Sequence, residues 1–187
     1  MPVAAIEFQM KKKTNFRWLI KIILISVIVT MVFTIASTEI LGRADYIVAF
    51  AVLAVFIILG IVFDMIGVAV TAAAAIEAPF HSMASHRERG ASESLRLIKN
   101  ADKVSSFCND MVGDVSGIVS GSTAALIAAQ LTKGLSTEDI MVPLLISGAV
   151  TGLTIGGKAA GKTFAFNNSI SIVFRVGKLL NVLRFKP

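Results

Sequence analysis

Residues 143–163 read PLLISGAVTGLTIGGKAAGKT. The last part, GGKAAGKT at 156–163, matches the phosphate-binding loop pattern of nucleotide hydrolases. That loop works only where a strand leads into it and a helix follows, so that backbone N–H groups cradle the phosphates. Here the preceding residues, PLLISGAVTGLTI, are uncharged and apolar, with a glycine at every fourth position from Gly148 to Gly156. That is the composition of a membrane helix rather than of a short strand. No βαβ unit can be placed around it, and no apolar strand ends in an acid that would hold magnesium beside a nucleotide. The stretch is therefore read as the inner part of a membrane helix, with Lys158 and Lys162 near its end, and no nucleotide is expected.

The rest of the chain agrees. Of 187 residues, 55% are hydrophobic and 16% charged, against about 25% charged in a soluble domain. The mean hydropathy is +0.79. Four uncharged, mostly apolar stretches of 17 or 18 residues lie at 22–38, 46–63, 115–132 and 140–157. A spanning helix needs about 20 such residues, and apolar residues continue past one end of several stretches. The expected fold is an all-α membrane protein with four transmembrane helices. A polar leader (1–16) precedes a single transmembrane domain (17–187), with spans near 18–41, 46–77, 104–131 and 140–166. Between the second and third spans, Gly90 divides a polar stretch into two short helices, a cytoplasmic hairpin, and Pro79 is expected to end the second span. Residues 170–185 mix bulky apolar residues with Arg175, Lys178 and Arg184 and read as a C-terminal interfacial helix. The first apolar run exceeds the h-region of a signal peptide, about 7–15 residues, and is read as an uncleaved span.

Charge sets the orientation. Five basic residues (Lys11, Lys12, Lys13, Arg17, Lys21) precede or open the first span, and five (Arg87, Arg89, Arg96, Lys99, Lys103) lie between the second and third. Four more (Arg175, Lys178, Arg184, Lys186) follow the fourth, while the two opposite loops hold only Arg43 and Lys133. This asymmetry places both termini and the 79–103 loop in the cytoplasm, and the chain in the cell inner or plasma membrane. The net charge of +6 is split among segments flanking apolar spans, which suits a lipid surface and excludes nucleic-acid binding. Lone Cys108 excludes an intramolecular disulfide. His81 and His86 stand on the hairpin at a spacing poor for one helix face, and no nucleophile–base pair accompanies them, so the chain is not read as an enzyme.

Two features remain. Gly113, Gly117 and Gly121, and likewise Gly148, Gly152 and Gly156, form rows that predict close helix packing, a glycine zipper. Asp64 interrupts the second span, Asp110 and Asp114 lie in the inner half of the third, and Lys158 and Lys162 in the fourth. A charge in mid-bilayer costs about 2.5–3.5 kcal/mol even on a lenient scale, so these groups are expected to converge in a polar pocket open to the cytoplasm. Asn109, Ser105, Ser106, Ser116 and Thr71 would add oxygen atoms. An all-oxygen set suits a hard cation such as magnesium; the competing reading is a set of internal salt bridges that only lock the bundle.

These elements resemble the transmembrane domain of the CorC/cyclin M (CNNM) magnesium transporters, the "domain of unknown function 21" group. LRLIKNAD at 95–102 is similar to that family's L-R-L-L-x-N-P-D, and GKAAGKTFAFNN at 157–168 to its G-E-I-x-P-K-x-x-A-x-x-N. CNDMVG at 108–113 is similar to its G-N-N-L-V-N, keeping Asn109. The resemblance implies a homodimer that binds magnesium between its helices through serine, asparagine and backbone oxygen atoms, with Asn109 the best-matched ligand. Two positions depart from the pattern: Lys158 stands at the family's Glu and Gly161 at its Pro. The CBS domains that usually follow are not expected here. The sequence thus predicts divalent-cation transport or binding at Asp64, Asn109, Asp110 and Asp114, with Lys158 and Lys162 as counter-charges. The alternative is a non-transporting scaffold or regulatory subunit whose pocket those lysines neutralise.

Overall fold

A computed structural model of the chain describes residues 16–41, 46–134 and 141–184. The polar leader up to residue 15, the connections at 42–45 and 135–140 and the end of the chain from 185 lie outside them. Every described element is helical: α1 (Phe16–Leu41), α2 (Tyr46–Ala74), α3 (Ala78–Ser85), α4 (Ala91–Lys99), α5 (Ala101–Ser106), α6 (Asp114–Gly134), α7 (Met141–Asn167) and α8 (Ser169–Arg184). Between α5 and α6 the helix does not stop. Phe107–Gly113 winds as a π-helix and joins the two into one rod.

Three of the four expected spans, Ile47–Ala74, Ala101–Thr132 and Met141–Asn167, are long and apolar enough to cross a membrane. The fourth, α1, has 26 residues, and its apolar stretch among the described side chains, Ile20–Ala36, is shorter than those three. Hydroxyls within the long helices turn back onto their own backbone, as lipid demands. Thr71 Oγ1 donates to the Gly67 carbonyl at 3.0 Å, Thr154 Oγ1 to Val150 at 2.7 Å and Ser120 Oγ to Gly117 at 2.9 Å.

α2 is the central helix, packed against α6, α7, α8, α5 and the π segment. It buries two apolar clusters. At its start, Ala49, Leu53 and Ile57 meet Ala124 and Ile127 of α6. Toward its end, Ala69, Val70 and Ala73 meet Phe80, Ile98, Ala165 and Val173, which joins the hairpin and α8 to the bundle. α1 leans on α6, and Phe33 meets Phe56 edge-on, with ring centroids 5.6 Å apart.

Pro79 does not end α2, as its position in the sequence suggested. The helix already stops at Ala74, and the Ile76 N–H caps it on the Ala73 carbonyl at 3.0 Å. Pro79 sits instead in the first turn of α3, where a missing N–H is harmless. The α3–α4 turn needs left-handed backbone at Arg87 (φ 54°) and Gly90 (φ 90°). Gly90 also lies against the Lys178 backbone, where an added Cβ would stand 2.6 Å from its nitrogen. Ser94 secures this crossing, donating to Gly90 O at 2.9 Å and reaching Val173 O at 3.3 Å.

The glycine rows depart from expectation. A Cβ added at Gly117, Gly121, Gly148, Gly152 or Gly156 would meet nothing within 4 Å. Among the described residues those five positions have no close neighbour, whereas Gly113, the first of its row, is buried beside Lys158 and Asp64. The close contacts fall to other glycines: Gly60 against Ser116, Gly67 against Asn109, Gly157 against Ile61 and Gly161 against Met65.

Candidate functional site

Asp64, Lys158 and Lys162 come together where the π turn and α7 both lie against α2. A π turn carries one extra residue in its hydrogen-bonded ring, so it widens the helix and shifts the direction of the side chains on it; such turns occur frequently at functional sites. Two neighbours on it point to different sides, as successive helical residues do. Asn109 faces α2 and packs on Gly67 so closely that a Cβ there would collide with the amide, standing 2.7 Å from its Cγ. Asp110 is exposed and has no ion-pair partner among the described residues.

Asp64 is 4% exposed. Its Oδ2 lies 3.4 Å from Lys162 Nζ. The approach is an ion pair without hydrogen-bond alignment, because Oδ2 remains without a hydrogen-bond donor. Lys158 is held differently. Its Nζ donates to the Gly113 carbonyl, at the end of the π turn, at 3.1 Å, and lies 3.7 Å from Asp114 Oδ1. Asp114 is 69% exposed in its side chain, so that pair is weak. A Cβ on Gly113 would stand 3.7 Å from Lys158 Nζ and 3.9 Å from Asp64 Oδ1. The Asp64 carboxylate, the Lys158 ammonium and the end of the π turn thus share one place.

One helical turn along the same interface, Asn109 donates through Nδ2 to Ser105 Oγ at 3.2 Å. Its Oδ1 is buried and accepts no hydrogen bond. Two acceptor oxygens, Asp64 Oδ2 and Asn109 Oδ1, are therefore buried without donors. Leaving such a group unmatched costs about 1–3 kcal/mol, and each case calls for a reason. Both atoms are of the type that ligates hard cations. The other oxygens expected from the sequence contribute less. Thr71 is committed to its own helix, Ser116 packs beside Gly60 and Ser106 is half-buried.

One expectation needs correction. The acids do not converge: Asp64 is buried, while Asp110 and Asp114 are exposed, and no group of three or more His, Cys, Asp or Glu side chains is assembled among the described residues. A separate groove lies between the α3–α4 turn and α8, beside Arg87, Arg89, Glu93 and Lys178. Of the zipper glycines, Gly113 takes part through its carbonyl. The sequence reading also missed Gly67 and the Gly113 carbonyl. Gly67 had a signal, since it stands one turn after Asp64 and one before Thr71 on the same face of α2.

No protein-family model, curated protein or solved structure matches this chain.

Proposed function

We propose that the chain is an integral membrane protein that binds a divalent cation, magnesium by its oxygen chemistry, between α2, the π turn and α7, as a transporter of CorC/CNNM type would. The observation that carries this reading is the pair of buried acceptors without donors, Asp64 Oδ2 and Asn109 Oδ1. One carboxylate, one amide oxygen and nearby backbone carbonyls, completed by water, make a hard-cation set. The hairpin and both termini are assigned to the cytoplasm on the positive-inside rule. The assembly is a homodimer, with the open glycine rows of α6 and α7 offering faces that two backbones can approach closely.

A second reading is favoured by the lysines. Lys162 against Asp64 and Lys158 on Gly113 would suit a scaffold or regulatory subunit in which the polar groups only lock the helices. Ligand binding distinguishes the two. A ligand held only by the folded state stabilises it by about 2.7 kcal/mol at roughly a hundred times Kd. For a chain of this size that corresponds to a rise in Tm of several degrees, at about 2–4 °C per kcal/mol. The measurement is Tm with and without millimolar magnesium for the wild type and Asp64→Asn. The cation reading expects a rise in the wild type that the variant lacks. Equal curves in both would favour the scaffold.

A further inference from the structure

The two lysines differ in a way that neither reading above requires. We infer that Lys162 is the pocket's exchangeable counter-cation: its ammonium neutralises Asp64 until a metal ion enters and is displaced into solvent when one does, while Lys158 stays fixed on the π turn. This rests on the cation-binding reading and adds how that site is charged and regulated.

Exposure supplies the first argument. The Lys162 side chain is 52% exposed and the Asp64 side chain 5%. In this pair only the ammonium has somewhere to go. It sits on a long flexible stem that can carry the charge to water, whereas the carboxylate is held by packing on α2. Alignment supplies the second. Lys162 Nζ reaches Asp64 Oδ2 at 3.4 Å without making a hydrogen bond, so it offers charge and no directional bond. An ion that bonds directly to oxygen has an advantage there. Lys158 contrasts on both counts. Its side chain is 20% exposed and it makes a hydrogen bond of 3.1 Å to a backbone carbonyl. Leaving would strip the Gly113 carbonyl of that donor.

The charges follow. With Lys162 in place, Asp64 is neutralised by one positive charge. When a divalent ion enters and one ammonium leaves, the pocket gains one positive charge, where entry without exchange would add two. The exchange lowers the electrostatic cost of loading, which is highest in a low-dielectric interior. It also lowers the apparent affinity by the fraction of time that the lysine vacates the site.

Two measurements on the full-length protein in lipid nanodiscs test this, with magnesium chloride as the probe. In the first, magnesium affinity is measured by titration for the wild type and Lys162→Met. If the lysine occupies the carboxylate about nine-tenths of the time, its removal tightens binding about ten-fold. In the second, wild-type protein is briefly treated with acetic anhydride along a magnesium titration and digested. Acetylation of Lys162 should rise in step with saturation while that of Lys158 stays constant. Tighter binding with unchanged Lys162 labelling would overturn the exchange, since lost repulsion alone explains it. So would magnesium affinity that is equal or weaker in Lys162→Met while the wild type binds, an outcome that leaves the cation site standing. Binding by the variant alone would also overturn the exchange, the lysine then being a fixed counter-charge that no ion displaces. Absence of binding in both, with labelling insensitive to magnesium, would remove the cation reading and the exchange together. If Lys162→Met does not fold, the wild-type labelling decides by itself.

Discussion

α7 carries two sets of glycines that look interchangeable in sequence and are opposite in structure. Gly157 and Gly161 face α2. A Cβ on Gly157 would run into the end of Ile61, and one on Gly161 would stand 2.8 Å from Met65 Cγ and 3.3 Å from Ile61 Cγ2. Gly148, Gly152 and Gly156 face away, with nothing within 4 Å. Small residues at i, i+4, i+8 establish that a helix has a smooth face; they do not establish that anything in the same chain covers it. The glycines that hold this bundle together are spaced for contact with Ile61 and Met65 of α2, and those two side chains are themselves a turn apart.

The sharpest way to break the comparison is Gly161→Leu. The position is buried and tight, so a leucine must push Met65 and Ile61 aside and part α7 from α2 next to Lys162. Overpacking of this kind costs about 1–3 kcal/mol, and the variant is expected to melt well below the wild type in detergent. A Tm equal to that of the wild type would mean that α7 does not lie on α2 as described.

Gly67→Ala sharpens it at the site. The methyl would occupy the space of the Asn109 amide. Asn109 must turn away and lose its bond to Ser105 Oγ, a loss of about 1 kcal/mol that the better helix propensity of alanine, also about 1 kcal/mol, offsets. Stability is therefore expected to change little, while the magnesium-dependent rise in Tm disappears. A rise that survives would remove Asn109 from the site.

The smallest effect is expected from Gly152→Leu. On an open face a substitution changes the folding of one chain by about 0.5 kcal/mol or less. Its consequence should appear in assembly instead. If the row is where a second copy approaches, light scattering in detergent should give a monomer for the variant and a dimer for the wild type. A dimer in both would place the contact elsewhere.

Much of this architecture could be read in advance because membrane insertion writes it in a coarse code. Run length alone located α2, the rod from α5 to α6, and α7, and Gly90 located the α3–α4 turn because that turn needs its left-handed backbone. The polar cluster was only partly legible. Asp64 stands out in an apolar helix, and depth grouped it with the other acids and the two lysines, but its particular pairing with Lys162 was not legible. The π turn at Phe107–Gly113 was not legible, because one extra residue in a helical ring leaves no compositional mark and is selected by what packs on it, here Asn109 against Gly67 and Lys158 on Gly113. Asp110 looked like a ligand on spacing and turned out to be exposed. The family resemblance pointed to Asn109 by motif; the geometry adds that its Oδ1 is buried and without a donor.

The central claim is that Asp64 and Asn109 hold a divalent cation, and the most direct measurement is anomalous scattering from crystals of the protein grown with manganese, which shares magnesium's octahedral oxygen chemistry. The account predicts a single anomalous peak between α2 and the π turn, within about 2.0–2.6 Å of Asp64 Oδ2 and Asn109 Oδ1, with the Lys162 ammonium turned out toward solvent. Density for the Lys162 ammonium against Asp64 at saturating manganese, and no anomalous peak beside it, would contradict the account and leave a locked scaffold in its place.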